Sequence, residues 1–445
     1  MPQSPAKPAP ETRGVWYACG HRVNTLPGQE YVYSGPMATY CAWHRPMAAY
    51  APDVNRTFWV YGNADNAPTI TVYDHATGRF AYPVVLGSNP DGDAHRNATI
   101  AIDDDGFLVV FYGAHGHHTH VLRSARPYDV GAWETLPDLP EPHTSYPQPF
   151  MVNPGELLVS YRHAPGWNFT TTRDRGRTWA EPRAVVDFGC PSEARGCAEC
   201  SIYGITIGDT GDYPRRVHFA WSRLGGGTLE EIASKHLWAR RYNIYYACTD
   251  DGGRTWRRSD GTPYTLPIDE EQAEKVYDCG QRGVWLKDIQ LDADGRPLVL
   301  FIDSVPETYE SRWLVARLLP SAWQMSQVAE SDHMYDDGGL LYMAEDDIRV
   351  YAPTTAVQPR QDGGEIEEWR STDGGKTWAN TAHITAGSRY SHNNVKTVFN
   401  HQAGPGDLQV VWSYGDSVYP PESDEVLLYR YGRGMAAGAP AEFEP

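Results

Sequence analysis

Long apolar runs are missing from this 445-residue chain. No stretch approaches the roughly 18 consecutive apolar residues of a membrane span. The opening residues, MPQSPAKPAP, lack the charged start and apolar stretch of a secretory leader. On that basis the chain is expected to be soluble with residues 1–12 disordered, and its location stays open between cytoplasmic and secreted. Basic runs are missing as well. The formal net charge is −19, with no cluster of Lys or Arg, which excludes nucleic acid and anionic membrane as expected partners. An anionic sugar is not excluded, because a local Arg/His group outweighs distant charge once screening limits its reach to about 10 Å. Stretches of helical period are scarce, with residues 227–238 (GTLEEIASKHLW) the best candidate. There is no regular cysteine framework: Cys190, Cys197 and Cys200 cluster in FGCPSEARGCAEC, and Cys19, Cys41, Cys248 and Cys279 are scattered.

What the chain has in abundance is glycine (42), proline (34), tyrosine (28) and tryptophan (15), a composition of short strands joined by turns. One turn is written three times. Thr172–Trp179, Thr249–Trp256 and Ser371–Trp378 all fit [ST]-x-D-x-G-x-T-W. Asp174, Asp251 and Asp373 are placed to bond backbone N–H groups within their own turns, the Gly can take positive φ, and the Trp can cover the turn. Three copies imply a repeated hairpin unit. ATIAIDDDGFLVVFYG (98–113) and DIQLDADGRPLVLFID (288–303) share a second hairpin pattern around a D-x-D-G turn. Hairpins recur from start to finish, which predicts an all-β fold with residues 13–445 as a single β-propeller. Seven blades of about 64 residues are favoured, six or eight also fit, and a pair of β-sandwiches is the structural alternative.

The richest polar cluster runs from DGDAHRN to GAHGHHTH. Antiparallel pairing of the hairpin between them brings His95 and His115 together, since neighbouring strands lie about 4.8 Å apart. The next hairpin, turning at NPGE, brings Tyr146 near Arg162 by the same argument. His117, His118 and His120 follow His115 closely, but no carboxylate stands at a recognised metal spacing in that run. Cys190-x6-Cys197-x2-Cys200 offers three thiolates for a structural zinc, with His163 as the first and His218 as the second choice of fourth ligand. The other reading of that group is one disulfide and one buried thiol.

The three Asp-box turns, HRNATIAIDDDGFLVVFYGAH and SYPQPFMVNPGELLVSYR resemble the propeller polysaccharide lyases that cut rhamnose–glucuronic acid linkages, the ulvan lyases and their relatives active on arabinogalactan side chains. The resemblance implies two catalytic His separated by one hairpin and a Tyr followed by an Arg one hairpin later. Here those intervals are 20 residues, His95 to His115, and 16 residues, Tyr146 to Arg162. The segment ATYCAWHRPMAAY departs from the aromatic pattern of typical ulvan lyases, which bears on the substrate more than on the reaction.

The residue types suit β-elimination from a uronate. Arg162 can bind the carboxylate and stabilise the enolate-like charge. His95 is the expected base with Tyr146 as acid, or Tyr146 serves both roles in a syn elimination, and His115 is a second neutraliser or orienter. Asn97, Arg223 in HFAWSR and His392 in SRYSHNN are the expected substrate contacts. No cofactor is required for that chemistry. The expected partner is an anionic poly- or oligosaccharide, and the chain is expected to be a monomer. Two other functions fit a propeller, a glycoside hydrolase of α-L-rhamnosidase or sialidase type and a glycan binder without turnover.

Overall fold

The computed structural model describes residues 32–33, 39–63, 67–90, 93–189, 201–225, 241–305, 310–331, 333–355, 363–388, 391–401, 408–415, 428–429 and 432–435. The helix candidate at 227–238, residues 1–12 and the three clustered cysteines lie outside them.

Successive hairpins assemble into six sheets of four or five antiparallel strands, each with its main strands in chain order. Blade 1 begins at Ala48, blade 2 at Thr99, blade 3 at Thr144, blade 4 at Ile202, blade 5 at Gly283 and blade 6 at Gly339. A three-stranded sheet follows, made of Ser391–Thr397, Val410–Gly415 and Gly432–Met435. The architecture is an all-β propeller. Where the sequence reading favours seven blades, six complete ones are described, and the last sheet has three strands among the described residues. The final sheet closes on the first through Tyr50 N–H to Phe399 O at 2.9 Å and Phe399 N–H to Ala48 O at 2.8 Å.

Burial grades from the centre outward. The opening strands of blades 3 and 4, Thr144–Asn153 and Ile202–Gly208, are almost wholly buried, whereas the closing strand of blade 6, Ala379–His383, is mostly exposed. Between the opening strands runs the segment 39–47, every residue of which is buried. It is tied to four sheets. Asn97 Nδ2 donates to Tyr40 O at 2.9 Å, Gln148 Nε2 to Trp43 O at 2.9 Å, Arg45 Nη2 to Ile289 O at 3.1 Å, and Thr39 Oγ1 to Asn394 O at 2.8 Å.

The three Asp boxes form the turns between the third and fourth strands of blades 3, 4 and 6. In each, one carboxylate organises the loop. Asp251 accepts from Thr249 Oγ1 and Thr255 N at 2.9 Å each and from Thr255 Oγ1 at 2.7 Å. Gly253, at φ 84°, packs so closely on Phe169 of the preceding blade that a Cβ there would lie 2.4 Å from the ring. Trp179 and Trp378 reach backward too, donating to Pro137 O at 3.2 Å and Ser326 Oγ at 3.0 Å. The boxes thus fasten each blade to its predecessor. Asp251→Ala is expected to lower unfolding stability by about 1–3 kcal/mol through the orphaned turn donors. Unaltered stability in urea titration would contradict that role.

Two buried imidazoles in this core set a pH dependence. Burial holds His44 and His333 neutral, lowering each to about 3. The unfolded chain takes up these protons near pH 6.5 and the folded chain does not, so stability falls as pH drops from about 6.5 towards 3, by up to about 2 kcal/mol per group at pH 5. Urea unfolding between pH 7.5 and 5 should show this loss, and His333→Gln should reduce it by the share of one group. A flat wild-type profile would refute the buried neutral state.

Candidate active site

The site is assembled by the junction of blades 2 and 3. After Leu108–Tyr112 the chain turns through Gly113, at φ 83°, and Gly113 N–H donates to Arg96 O while Arg96 Nε donates to Gly113 O, each at 3.1 Å. This clamp joins the two ends of the hairpin. His115 N–H then bonds Thr144 O at 2.7 Å, which pins the loop to the start of blade 3. His115 and Tyr146 both adopt positive φ, 89° and 56°, and Tyr146 stands in a register shift between Ser145 and Gln148. Such conformations cost about 1–3 kcal/mol each in non-glycine residues and persist where surrounding structure enforces them.

The hairpin geometry brings together the four residues expected from the sequence. His95 and His115 stack with ring centroids 4.0 Å apart and 12° between planes. Tyr146 lies 6.2 Å from His95 and 6.0 Å from His115, centroid to centroid. Ser145 is the register partner of Arg162, whose guanidinium sits 4.7 Å from the Tyr146 ring and donates to Ser145 Oγ at 3.1 Å.

Asp93 was not anticipated and organises the histidines. One carboxylate oxygen meets His95 Nδ1 at 2.8 Å and the other meets His115 Nδ1 at 3.0 Å. Burial alone would raise the Asp93 carboxyl, but the charges and hydrogen bonds of His95 and His115 outweigh it and hold the group well below the usual carboxylate range. A carboxylate accepting at Nδ1 leaves Nε2 as the basic atom of each ring. On His95 that nitrogen meets Tyr40 Oη at 3.1 Å, whereas on His115 it has no partner among the described residues. Burial lowers His115 to about 3, so the ring is neutral at physiological pH. These three side chains present donors within 4.8 Å of one another. The stacked rings aim both Nδ1 atoms at separate oxygens and not at a common point, an arrangement of a carboxylate fork more than of a metal cage.

Arg162 is 9% exposed and has no acidic partner among the described residues. Burial opposes its charge, while Tyr203 and Tyr146 support it and raise its pKa above the ordinary value. Tyr203, which the sequence reading missed, lies between two guanidiniums, 4.9 Å from Arg162 and 4.2 Å from Arg241 measured to its ring. Burial works to raise its hydroxyl pKa, but Arg162 and Arg241 overcome that and lower it. Arg241 also lies 4.8 Å from the Trp43 ring. Asp93 could have been found two residues before His95 in DGDAHRN; Tyr203 and Arg241 come from blade 4 with no local signature.

The other expected contacts have partners within the chain. Asn97 holds the Tyr40 carbonyl, Arg223 pairs with Glu270 at 3.0 Å, and His392 accepts from Trp412 Nε1 at 2.9 Å and meets Ser388 Oγ at 2.8 Å. His163 lies 4.0 Å from Glu141, and His218 meets Tyr246 Oη at 2.7 Å. With Cys190, Cys197 and Cys200 outside the described residues, the zinc expectation is carried by sequence alone.

The chain is similar to known proteins in sequence and fold. The chain is 25% identical over 272 residues to an ulvan lyase of class PL25 from Pseudoalteromonas sp. (strain PLSV), covering 54% of each. It therefore spans about half the length of that relative. It is 24% identical over 357 residues to an ulvan lyase of Nonlabens ulvanivorans, covering 72% of this chain and 73% of that one. A PL25 ulvan lyase solved bound to -[GlcA(1-4)Rha3S]- superposes with a TM-score of 0.73 at 20% identity, over 92% of this chain and 96% of the other, a likeness of fold. Residues 39–331 match the family model described as "BNR repeat-containing family member", and the chain belongs to that family.

Proposed function

We propose that the protein is a polysaccharide lyase that cleaves a rhamnosyl-uronate linkage by β-elimination. The observation that carries this reading is Arg162, a buried cation with no acidic partner among the described residues, set beside a tyrosine and two carboxylate-braced imidazoles. A guanidinium in that state is suited to receive a carboxylate bidentately. The named activities of the ulvan lyases it resembles support the same choice of substrate class.

In this mechanism Arg162 binds the uronate carboxylate and stabilises the charge that develops when C5 loses its proton. His95 accepts that proton at Nε2, the nitrogen that Asp93 leaves basic, with the Tyr40 hydroxyl yielding its place. The C5–H electron pair forms the C4–C5 double bond, the C4–O4 bond breaks, and Tyr146 gives its proton to O4. His115 orients the pair and, with its own Nε2 open, is the alternative base. Tyr203, between Arg162 and Arg241, extends the positive surface on which an acidic sugar would lie.

Absorbance at 235 nm should rise when the protein meets ulvan, gum arabic or another uronate polysaccharide, whereas hydrolysis or simple binding leaves it flat. Tyr146→Phe and His95→Gln should each lower kcat by about 100-fold or more, with folding intact by circular dichroism. Near-normal turnover in Tyr146→Phe would remove the acid assignment. A larger loss in His115→Gln than in His95→Gln would move the base to His115.

A further inference from the structure

A second group of charges lies on the other side of His44, whose Nε2 meets His95 O at 2.9 Å. Lys396 stands on Ser391–Thr397, the opening strand of the last sheet, and is 3% exposed. Its Nζ has no hydrogen-bond partner among the described residues. The side chain lines a narrow cavity with His44, Arg45, Gln290 and Thr397, with room for one atom-sized guest.

The two carboxylates nearest to Lys396 are engaged by other cations. Asp337 accepts from Lys287 Nζ at 2.7 Å. Asp288 is ion-paired with Arg45 and accepts from Leu340 N at 2.8 Å and Thr397 Oγ1 at 3.0 Å. Burial keeps His44 and His333 neutral and pushes the Cys41 thiol up to about 12, so none of these carries charge at neutral pH. Among the described groups nearest to Lys396, the cations Arg45, Lys287 and Lys396 share the carboxylates Asp288 and Asp337, while the neighbouring Asp336 is turned to Ser331 Oγ and Gly363 N. Burial lowers Lys396 to about 8, which leaves it an ammonium at neutral pH. An enclosed ammonium needs a counter-charge and a hydrogen-bond acceptor. A polyatomic anion exceeds the space, and a halide does not.

We propose that Lys396, with Arg45 beside it, forms a buried site for a monovalent, chloride-sized anion that links the last sheet to the threaded segment 39–47. The site gives Lys396 its counter-charge and acts on stability, independently of the reaction at Arg162. Two measurements on the full chain test it. Crystals grown in bromide should show an anomalous peak within hydrogen-bond reach of Lys396 Nζ. Melting in sodium chloride or bromide should exceed that in sodium gluconate of equal ionic strength by about 2 °C, and Lys396→Met should abolish both the peak and the increment, with Lys396→Gln used if the first variant does not fold. A site holding only water, equal melting in the two salts, or a bromide peak that persists without the lysine would overturn the proposal.

Discussion

A guanidinium enclosed with no acid beside it among the described residues is the constraint around which this molecule is arranged. Arg162 sits on the second strand of blade 3, where a charge would ordinarily be paired or solvated. Its support comes from oxygen lone pairs and ring faces, those of Ser145, Tyr146 and Tyr203, none of which cancels the charge. Such a residue is costly to stability, and under the proposed function the compensating anion comes with the ligand. The strained backbone at His115 and Tyr146 belongs to the same economy, with local cost concentrated where groups must converge.

The propeller supplies the rigidity that this convergence needs. Inner strands are buried along nearly their whole length, the segment 39–47 ties four sheets together, and the Asp boxes fasten blades 3, 4 and 6 to their predecessors at the periphery. The boxes do no chemistry. Their carboxylates are saturated by donors of their own turns, as Asp251 shows with Thr249 and Thr255. The fork at Asp93 works differently, since its two oxygens reach the two ends of the first hairpin of blade 2 and set the tautomer of two rings at once.

Much of this was legible in the sequence where the information is local. Hairpin periodicity placed His95 against His115 and Tyr146 against Arg162, because antiparallel register is a short-range property. The D-x-D-G and Asp-box turns follow from the hydrogen bonds that one Asp makes within four residues. What was not legible is long-range. Tyr203 and Arg241 reach the site from the next blade, and Tyr40 arrives by threading through the centre. The number of complete blades likewise depends on how far each hairpin run extends into a full sheet.

In the proposed function Arg162, which has no acidic partner among the described residues, receives the uronate carboxylate. The most direct measurement is calorimetric affinity for a uronate oligosaccharide and for its carboxyl-reduced counterpart, in the wild type and in Arg162→Ala. The account predicts that reduction weakens wild-type binding by about tenfold or more, and that the variant binds the two sugars alike. Equal affinity of the wild type for both sugars, or an undiminished preference for the carboxylate in the variant, would contradict it.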